Sequence, residues 1–481
     1  MFSLPRRLRS GIIGGVAVVA ALLVAQPALS TAAPASPAIA NSITISASDA
    51  IARPWLGFGL NYEPQPGGGS NPGSYTDAQA TLDAQRMDAI DPQIVRVTWL
   101  TTGFDPTNTV GSYDWTTPWA VNSFKGLDYL KSREIPVMTG WWSTPWDATG
   151  ADHATVVADF LDYLINVKGY TNIKYWNGIN EANHRDPTTY ARWKTEVSNI
   201  TAALAARDLP VTVIGPGTQD TGPTTDWLTA ASSEMSGDLA GYANHLYPTG
   251  ATSISGGTVA PALLSLISTI DANDPSKKPF FVEELGNKYG YDSATDAQPN
   301  VVNYGYGLDM ADLAMQTARA GASSPMAWRL DDLGSPKVWG MYNGAGTDTA
   351  LRPWAYSWTL LSSTMPAGAQ LFKPLQPSSM RVLAAKMADG TSADWSIALV
   401  NRTSTASQST VSIPGQGAAT FDQYVYFDGA RVTDAQGFPA PSGSVSGDLG
   451  AGITVTVPAN SMILLSTLAT TSVPPATEGS R

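Results

Sequence analysis

The sequence predicts an α/β protein: a (β/α)8 TIM barrel with an associated C-terminal antiparallel β-sandwich. Three observations carry this reading. Between about residues 55 and 366, short β-rich runs alternate eight times with helical patterns, as parallel strands joined by crossover helices require. After Pro366 the pattern changes to short alternating runs separated by Gly, Pro, Asp and Ser, the grammar of an antiparallel sandwich. No glycine-rich nucleotide fingerprint follows the first strand, so little favours an open doubly wound sheet.

The predicted barrel strands are 56–61, 93–99, 135–141, 172–180, 211–215, 241–247, 279–285 and 325–330. The helices between and after them are 76–90, 118–133, 153–168, 187–207, 224–233, 261–270, 301–320 and 353–363. In the third helix Val156, Val157, Phe160, Leu161 and Leu164 form one apolar face. Pro118, Pro187, Pro261 and Pro353 stand near the first turns of their helices, where a missing N–H costs nothing. The sandwich strands are 379–387, 395–401, 409–413, 421–427, 453–457 and 461–466. The early segment 42–47 alternates in the same way and is expected to join them.

The ends of the chain read differently. Arg6, Arg7 and Arg9 precede an apolar run over 11–25, followed by small residues at Ser30-Thr31-Ala32. That is the layout of a secretory signal over residues 1–32, and the run is short for ~30 Å of hydrocarbon. The mature chain is therefore expected to be secreted and not held in a membrane. Residues 33–54 are assigned to a linker and the crossing strand, 55–366 to the catalytic barrel and 367–469 to the sandwich. Residues 470–481 are expected to form a disordered tail.

Composition excludes several classes of function. A net charge of −12 does not suit a phosphate backbone, so no nucleic-acid partner is expected. With no cysteine there is no disulfide, thiolate metal site or Cys nucleophile. Three histidines, His153, His184 and His245, are too few for a His-rich centre, and neither metal nor cofactor is expected. The 15 Trp and 18 Tyr supply faces on which sugars stack. A carbohydrate substrate and a monomeric chain are expected.

Functional groups of such a barrel project from the C-terminal ends of its strands. The fourth predicted strand closes on Asn180-Glu181 and the seventh on Glu283-Glu284-Leu285-Gly286. Two carboxyl groups facing one cleft can hydrolyse a glycoside, one protonating the leaving oxygen and the other attacking the anomeric carbon or activating water. Strict alternation puts Phe280, Val282 and Glu284 on one face and Phe281 and Glu283 on the other. Only one of the two can then point at the anomeric carbon. The resemblance of the run to a hydrophobic–x–Glu–x–Gly motif favours Glu284, with Gly286 giving the chain room to turn away, and Glu283 is then expected between barrel and helices, paired with a cation. Glu284 is expected to be held ionised by Arg96 and a Tyr247 hydrogen bond, and its charge to raise the pKa of Glu181. Asn180 is placed to donate to a sugar 2-hydroxyl. Trp99, Trp141, Trp142, Trp146, Tyr62, Trp339 and Tyr342 lie at or after strand ends, with core packing expected for about half of them. Glu63, Asp105, Asp147, Asp331 and Asp332 lie at loop entrances and are expected to be solvated.

These residues resemble those of clan A retaining glycoside hydrolases. Asn180-Glu181 is similar to the clan's Asn-Glu, whose glutamate is the acid/base, and the run around Glu284 to its nucleophile strand. His245-Leu246-Tyr247 resembles its His-x-Tyr, Arg96 an arginine beneath the nucleophile, and Trp328 the tryptophan floor of the −1 subsite. The Gly57-Phe58-Gly59 opening and the trailing sandwich are most similar to families 30 and 39. Two positions depart from the clan's pattern: Ala182 stands where Asn-Glu-Pro is usual, and Leu285 where an aromatic residue follows the nucleophile. The resemblance implies a secreted retaining O-glycoside hydrolase with Glu181 as acid/base and Glu284 as nucleophile. Asn180, Tyr247, His245, Arg96, Trp328, Trp142 and Trp146 are then expected to bind substrate. A carbohydrate-binding protein on the same barrel, or a transglycosylase using the same residues, are the alternatives. The sugar and its linkage stay open.

Overall fold

The computed structural model describes residues 39–64, 75–105, 107, 111–142, 150–184, 189–219, 224–332, 338–343, 349–378, 380–387, 394–428, 430–468 and 470. The predicted signal segment, Trp146, Asp147, Pro187 and 471–481 lie outside these residues. No helix among them is long and apolar enough to cross a membrane.

Eight parallel strands close the barrel in chain order: β2 (Gly59–Asn61), β3 (Val95–Trp99), β4 (Val137–Trp141), β5 (Ile173–Ile179), β6 (Thr212–Thr218), β7 (Gly241–Leu246), β8 (Phe280–Leu285) and β9 (Ser324–Ala327). The crossovers carry helices α1 (Asp77–Ile90), α2 (Pro118–Ser132), α3 (Gly150–Asp162), α4 (Tyr190–Ala206), α5 (Thr224–Glu234), α6 (Val259–Asn273) and α7 (Tyr304–Arg319), with α8 (Pro353–Thr364) after the last strand. Side-chain alternation divides the apolar residues. Ile94, Met138, Ile214, Ala243, Phe281 and Met326 fill the barrel interior, while Val95, Val97, Val213, Phe280 and Val282 pack outward against the helices.

Three elements differ from expectation for local reasons. The predicted fourth helix starts at Tyr190, because Thr189 caps it by accepting from the Arg192 N–H. The seventh is interrupted at Asn303, which has extended backbone between the 3-10 turn Pro299–Val302 and α7. Strand β6 runs on to Thr218, through a Gly215-Pro216-Gly217 segment that reads as a turn.

Past the barrel, a six-stranded sheet has the order β10 (Gln370–Phe372), β11 (Met380–Lys386), β12 (Trp395–Asn401), β17 (Ser461–Ser466), β14 (Ala418–Tyr426), β15 (Gly443–Asp448). It faces a three-stranded sheet of β1 (Ile39–Thr44), β13 (Ser407–Ser412) and β16 (Ile453–Val457). The early strand does join the sandwich, but it pairs with β13 in parallel, Ile43 opposite Val411. No hairpin links two strands so far apart in sequence, so nothing imposes the antiparallel direction.

Both faces of the six-stranded sheet are buried. Val382, Ala384, Ile397, Leu399, Ile463 and Leu465 face the smaller sheet. The alternate residues Leu383, Ala385, Ala398, Val400, Met462 and Leu464 join the core shared with the barrel helices. Polar ties reinforce this seam. Arg381 lies 3.1 Å from the wholly buried Asp312 of α7, and Arg402 lies 2.6 Å from Asp309. Tyr304 stacks on Tyr426 with ring centroids 4.7 Å apart, and each hydroxyl donates to the other residue's backbone carbonyl. Removing residues 367–469 should therefore expose a continuous apolar face on α7 and α8 and leave β1 unpaired. A 33–366 fragment should be insoluble, while the longer 33–469 chain melts in one cooperative transition. A soluble, fully active 33–366 fragment would show that the barrel stands alone.

Candidate active site

Arg96 of β3, Glu181 just past β5, His245 of β7 and Tyr247 just past it, and Glu283 and Glu284 of β8 come together. The placement of the two adjacent glutamates differs from expectation. Alternation along β8 puts Phe281 and Glu283 inside the barrel and Val282 outside. A bulge then interrupts the strand: His245 pairs with Glu284 where Asn244 pairs with Val282, and the register against β9 shifts over the same residues. The extra residue turns Glu284 inward as well. Glu283 therefore lies within the barrel beneath Glu284 and not between barrel and helices. Asn61 pins the bulge, donating to the Glu283 carbonyl at 2.8 Å and to the Ala327 carbonyl at 3.2 Å.

Glu284 receives two donors. Arg96 Nη1 donates to Oε1 at 2.7 Å and the Tyr247 hydroxyl to Oε2 at 2.7 Å. Arg96 is buried, and its fork spends every branch nearby: Nη1 also meets Asn61 Oδ1 at 3.0 Å, Nη2 donates to Asn180 Oδ1 at 2.6 Å, and Nε lies 3.6 Å from Glu283. The bond to Arg96 fixes which end of the Asn180 amide accepts, so its NH2 end is the donor. Burial and the charge of Glu284 push the Tyr247 phenol well above its ordinary value. Gly286 lacks a side chain for a steric reason, since a Cβ there would meet the Tyr247 ring at 2.9 Å.

Glu181 follows the turn at the end of β5, where Gly178 has φ +78° and Glu181 itself has φ +49°. A left-handed glutamate is strained, and such residues cluster at functional sites. Its Oε1 accepts from Gln219 Nε2 at 3.1 Å and lies 2.9 Å from His245 Nδ1. The expected upward shift of its pKa is reversed. Burial would raise it, but the hydrogen bond and charge of His245, the Gln219 amide and the charge of Lys288 hold it at about 2. His245 moves the other way. Burial opposes its charge, yet the Glu284 charge, the hydrogen bond with Glu181 and the Glu283 carboxylate push it up to about 9. One carboxylate oxygen of Glu181, one of Glu284 and a ring nitrogen of His245 all lie within 4.8 Å of one another.

An aromatic wall adjoins these groups. Tyr247, Trp328 and Trp339 cluster together with Trp142 and Tyr291 packed against them, Trp142 meeting Trp328 edge-on at 5.8 Å. Lys288 lies 4.6 Å from the centre of the Tyr247 ring. The other aromatic candidates among the described residues serve elsewhere. Trp99 and Trp141 pack against Phe160 in the barrel–helix layer, and Tyr62 and Tyr342 belong to a buried hydroxyl network on Asp83. Nor are the loop carboxylates among the described residues solvated. Glu63 is buried against Arg329 at 2.8 Å, Asp105 is buried and accepts from Thr107, and Asp331 is buried near Arg329. Asp332 accepts from the Trp339 N–H at 2.7 Å and pairs with Arg352. These carboxylates act as internal ties, Glu63 and Asp331 to the buried Arg329 and Asp332 to Arg352.

Sequence reasoning missed Asn61, Asn177, Gln219, Lys288 and the interior position of Glu283. Asn61 and Gln219 stand at or just past strand ends, so closer attention to amides there would have found them.

No protein-family model matches this sequence, and no curated protein is significantly similar to it. Solved structures do match in fold. The catalytic domain of the family 30 xylanase C from Talaromyces cellulolyticus superposes with a TM-score of 0.63 at 15% identity, over 89% of this chain and 99% of that one. A family 30 endoxylanase from Clostridium papyrosolvens C71 gives 0.60 at 13% identity, over 88% and 99%. A monomeric β-xylosidase from Caulobacter crescentus CB15 gives 0.59 at 15%, over 89% and 100%. At this identity the likeness is one of fold: the chain has the barrel-and-sandwich architecture of clan A glycoside hydrolases.

Proposed function

We propose that this protein is an exported retaining O-glycoside hydrolase acting on an oligosaccharide or polysaccharide, with Glu284 as nucleophile and Glu181 as acid/base. The observation that carries the reading is the 4.8 Å span within which oxygens of Glu181 and Glu284 sit. Retaining enzymes hold their carboxyl groups about 5–5.5 Å apart, whereas inverting enzymes need about 6.5–9.5 Å for an intervening water. The likeness in fold to xylanases and a β-xylosidase supports a carbohydrate substrate.

The roles follow from the contacts. Arg96 and Tyr247 each bond a different oxygen of Glu284, which orients the carboxylate for attack on an anomeric carbon above it. As the glycosidic C–O bond breaks, Glu181 gives a proton to the departing oxygen, and a covalent glycosyl ester forms on Glu284. Water then attacks that ester, Glu181 takes the water's proton, and two displacements leave the anomeric configuration unchanged. Trp328 and Trp142 offer the apolar surface on which a sugar ring rests. The Asn180 amide is turned to donate to a neighbouring hydroxyl.

Activity should first be sought on a panel of aryl glycosides and polysaccharides. On the substrate so found, NMR of the first-formed product should show the starting anomeric configuration, and an inverted anomer excludes double displacement. Glu284→Gln should lower kcat by at least about a thousandfold while melting within a few degrees of the parent, because removing a reacting group costs several kcal/mol at the transition state. A Glu284→Gln protein with normal turnover would remove Glu284 from the chemistry.

A further inference from the structure

Glu283 is a buried carboxylate to which the double displacement assigns no role. It is wholly inaccessible to solvent, and a charge there is costly unless paired. The surroundings are shaped to hold it. Asn177 Nδ2 donates to Oε2. Gly217, in left-handed backbone at φ +62°, leaves the space it occupies, since a Cβ there would come within 2.5 Å of Glu283 Oε1.

Two cations face this carboxylate, and each also meets one of the reacting glutamates. Arg96 Nε lies 3.6 Å from Glu283 while its Nη1 holds Glu284. His245 Nε2 lies 3.4 Å from Glu283 Oε1 while Nδ1 lies 2.9 Å from Glu181 and 3.3 Å from Glu284. Around the imidazole, the titratable groups are Glu181 just past β5, Glu283 and Glu284 on β8 and Tyr247 just past β7. Arg96 on β3 reaches the same two β8 glutamates, and Lys288, past β8, acts on Glu181.

We propose that Glu283 is a positioning residue that keeps His245 an imidazolium, and that the His245 Nδ1–H is the proton Glu181 draws on when it protonates the leaving group. The proposal rests on the glycosidase reading above and deepens it. In the free site Glu181 is an anion without a proton to give, whereas His245 carries one within hydrogen-bond reach. As Glu284 bonds to the anomeric carbon it becomes a neutral ester, and the charge favouring the imidazolium from that side disappears. The Nδ1–H bond then breaks, the proton moves to Glu181 Oε1 and on to the departing oxygen, and His245 is left neutral. In the second displacement the attacking water loses its proton to Glu181, Glu284 departs as a carboxylate, and the proton returns to His245 Nδ1. Charge and protons balance over the cycle, with water the only co-reactant.

Three histidines in the chain make the test direct. The imidazoles are titrated by NMR in His-labelled protein, with the His245 signal assigned by its loss in His245→Gln. The parent ring should stay charged past pH 8 and lose its proton near pH 9. In Glu283→Gln that titration should fall by at least about one pH unit, and Glu283→Asp should recover much of it. The alkaline limb of kcat/KM should move with it. At pH 8, Glu283→Gln should lose about tenfold or more on glycosides with poor leaving groups, but under about threefold on dinitrophenyl glycosides, whose leaving group needs no proton. The proposal is overturned if His245 of the parent titrates near the ordinary histidine value. It is also overturned if Glu283→Gln slows both leaving-group classes equally without moving the titration. Should Glu283→Gln not fold, the parent titration and Glu283→Asp decide. A parent that turns over no glycoside defeats the functional reading and the proton's role with it, whereas the titration still tests the pairing of Glu283 with His245.

Discussion

Three glutamates, Glu181, Glu283 and Glu284, converge at one end of the barrel, and a buried carboxylate without a partner is among the costliest groups a fold can hold. Two cations answer them. Arg96 reaches Glu284, Glu283, Asn180 and Asn61 at once, and His245 touches all three acids. Neither cation is interchangeable. Arg96 is planar and permanently charged, so it sets geometry. His245 can release its charge, so it can move a proton. With both charged, the five groups together carry one net negative charge, the condition under which one carboxylate can be spent as an ester without stranding a buried cation.

Backbone features serve this arrangement. The bulge on β8 brings neighbouring glutamates to the same side, which a regular strand cannot do. Asn61 on β2 closes the barrel against that bulge by bonding carbonyls on both β8 and β9. The left-handed turn at Glu181 and the absent side chains at Gly217 and Gly286 give the carboxylates and Tyr247 room. Away from the site the sandwich supports the barrel through its seam with α7 and α8, where Arg381 and Arg402 reach Asp312 and Asp309. Burial pushes the Asp312 carboxyl up to about 6 despite the charges of Arg381 and Arg402, a mark of how dry that seam is.

Much of the fold was legible because its signals are local. Runs of β-branched and aromatic residues alternating with 3.6-residue periods repeat eight times, and the predicted strands overlap β2 to β9 with ends displaced by a few residues. Glu181 and Glu284 were legible as carboxylates at strand ends, and Arg96, His245 and Tyr247 through their resemblance to the clan's motifs; the structure brings all five together. The position of Glu283 was not, because it depends on a bulge set by Asn61 and by pairing with β7 and β9, which period-two counting along one strand cannot contain. The protonation of Glu181 is not legible in the sequence for a related reason. The charge of Glu284 alone would raise its pKa, whereas His245, Gln219 and Lys288, which lower it, arrive from three other segments. The aromatic residues divide in the same way: Trp99 and Trp141 close strands yet point into the barrel–helix layer, while Trp142, one residue on, reaches the site.

In the proposed double displacement Glu284, held by Arg96 and Tyr247, forms a covalent bond to the sugar. Trapping tests this most directly. The protein is incubated with a 2-deoxy-2-fluoro glycoside of the sugar it cleaves, carrying a good leaving group, then digested and mapped by mass spectrometry. One added glycosyl group per chain is expected, on Glu284 alone. An adduct on Glu283 or Glu181, or steady turnover of that substrate with an inverted product and no adduct, would contradict it.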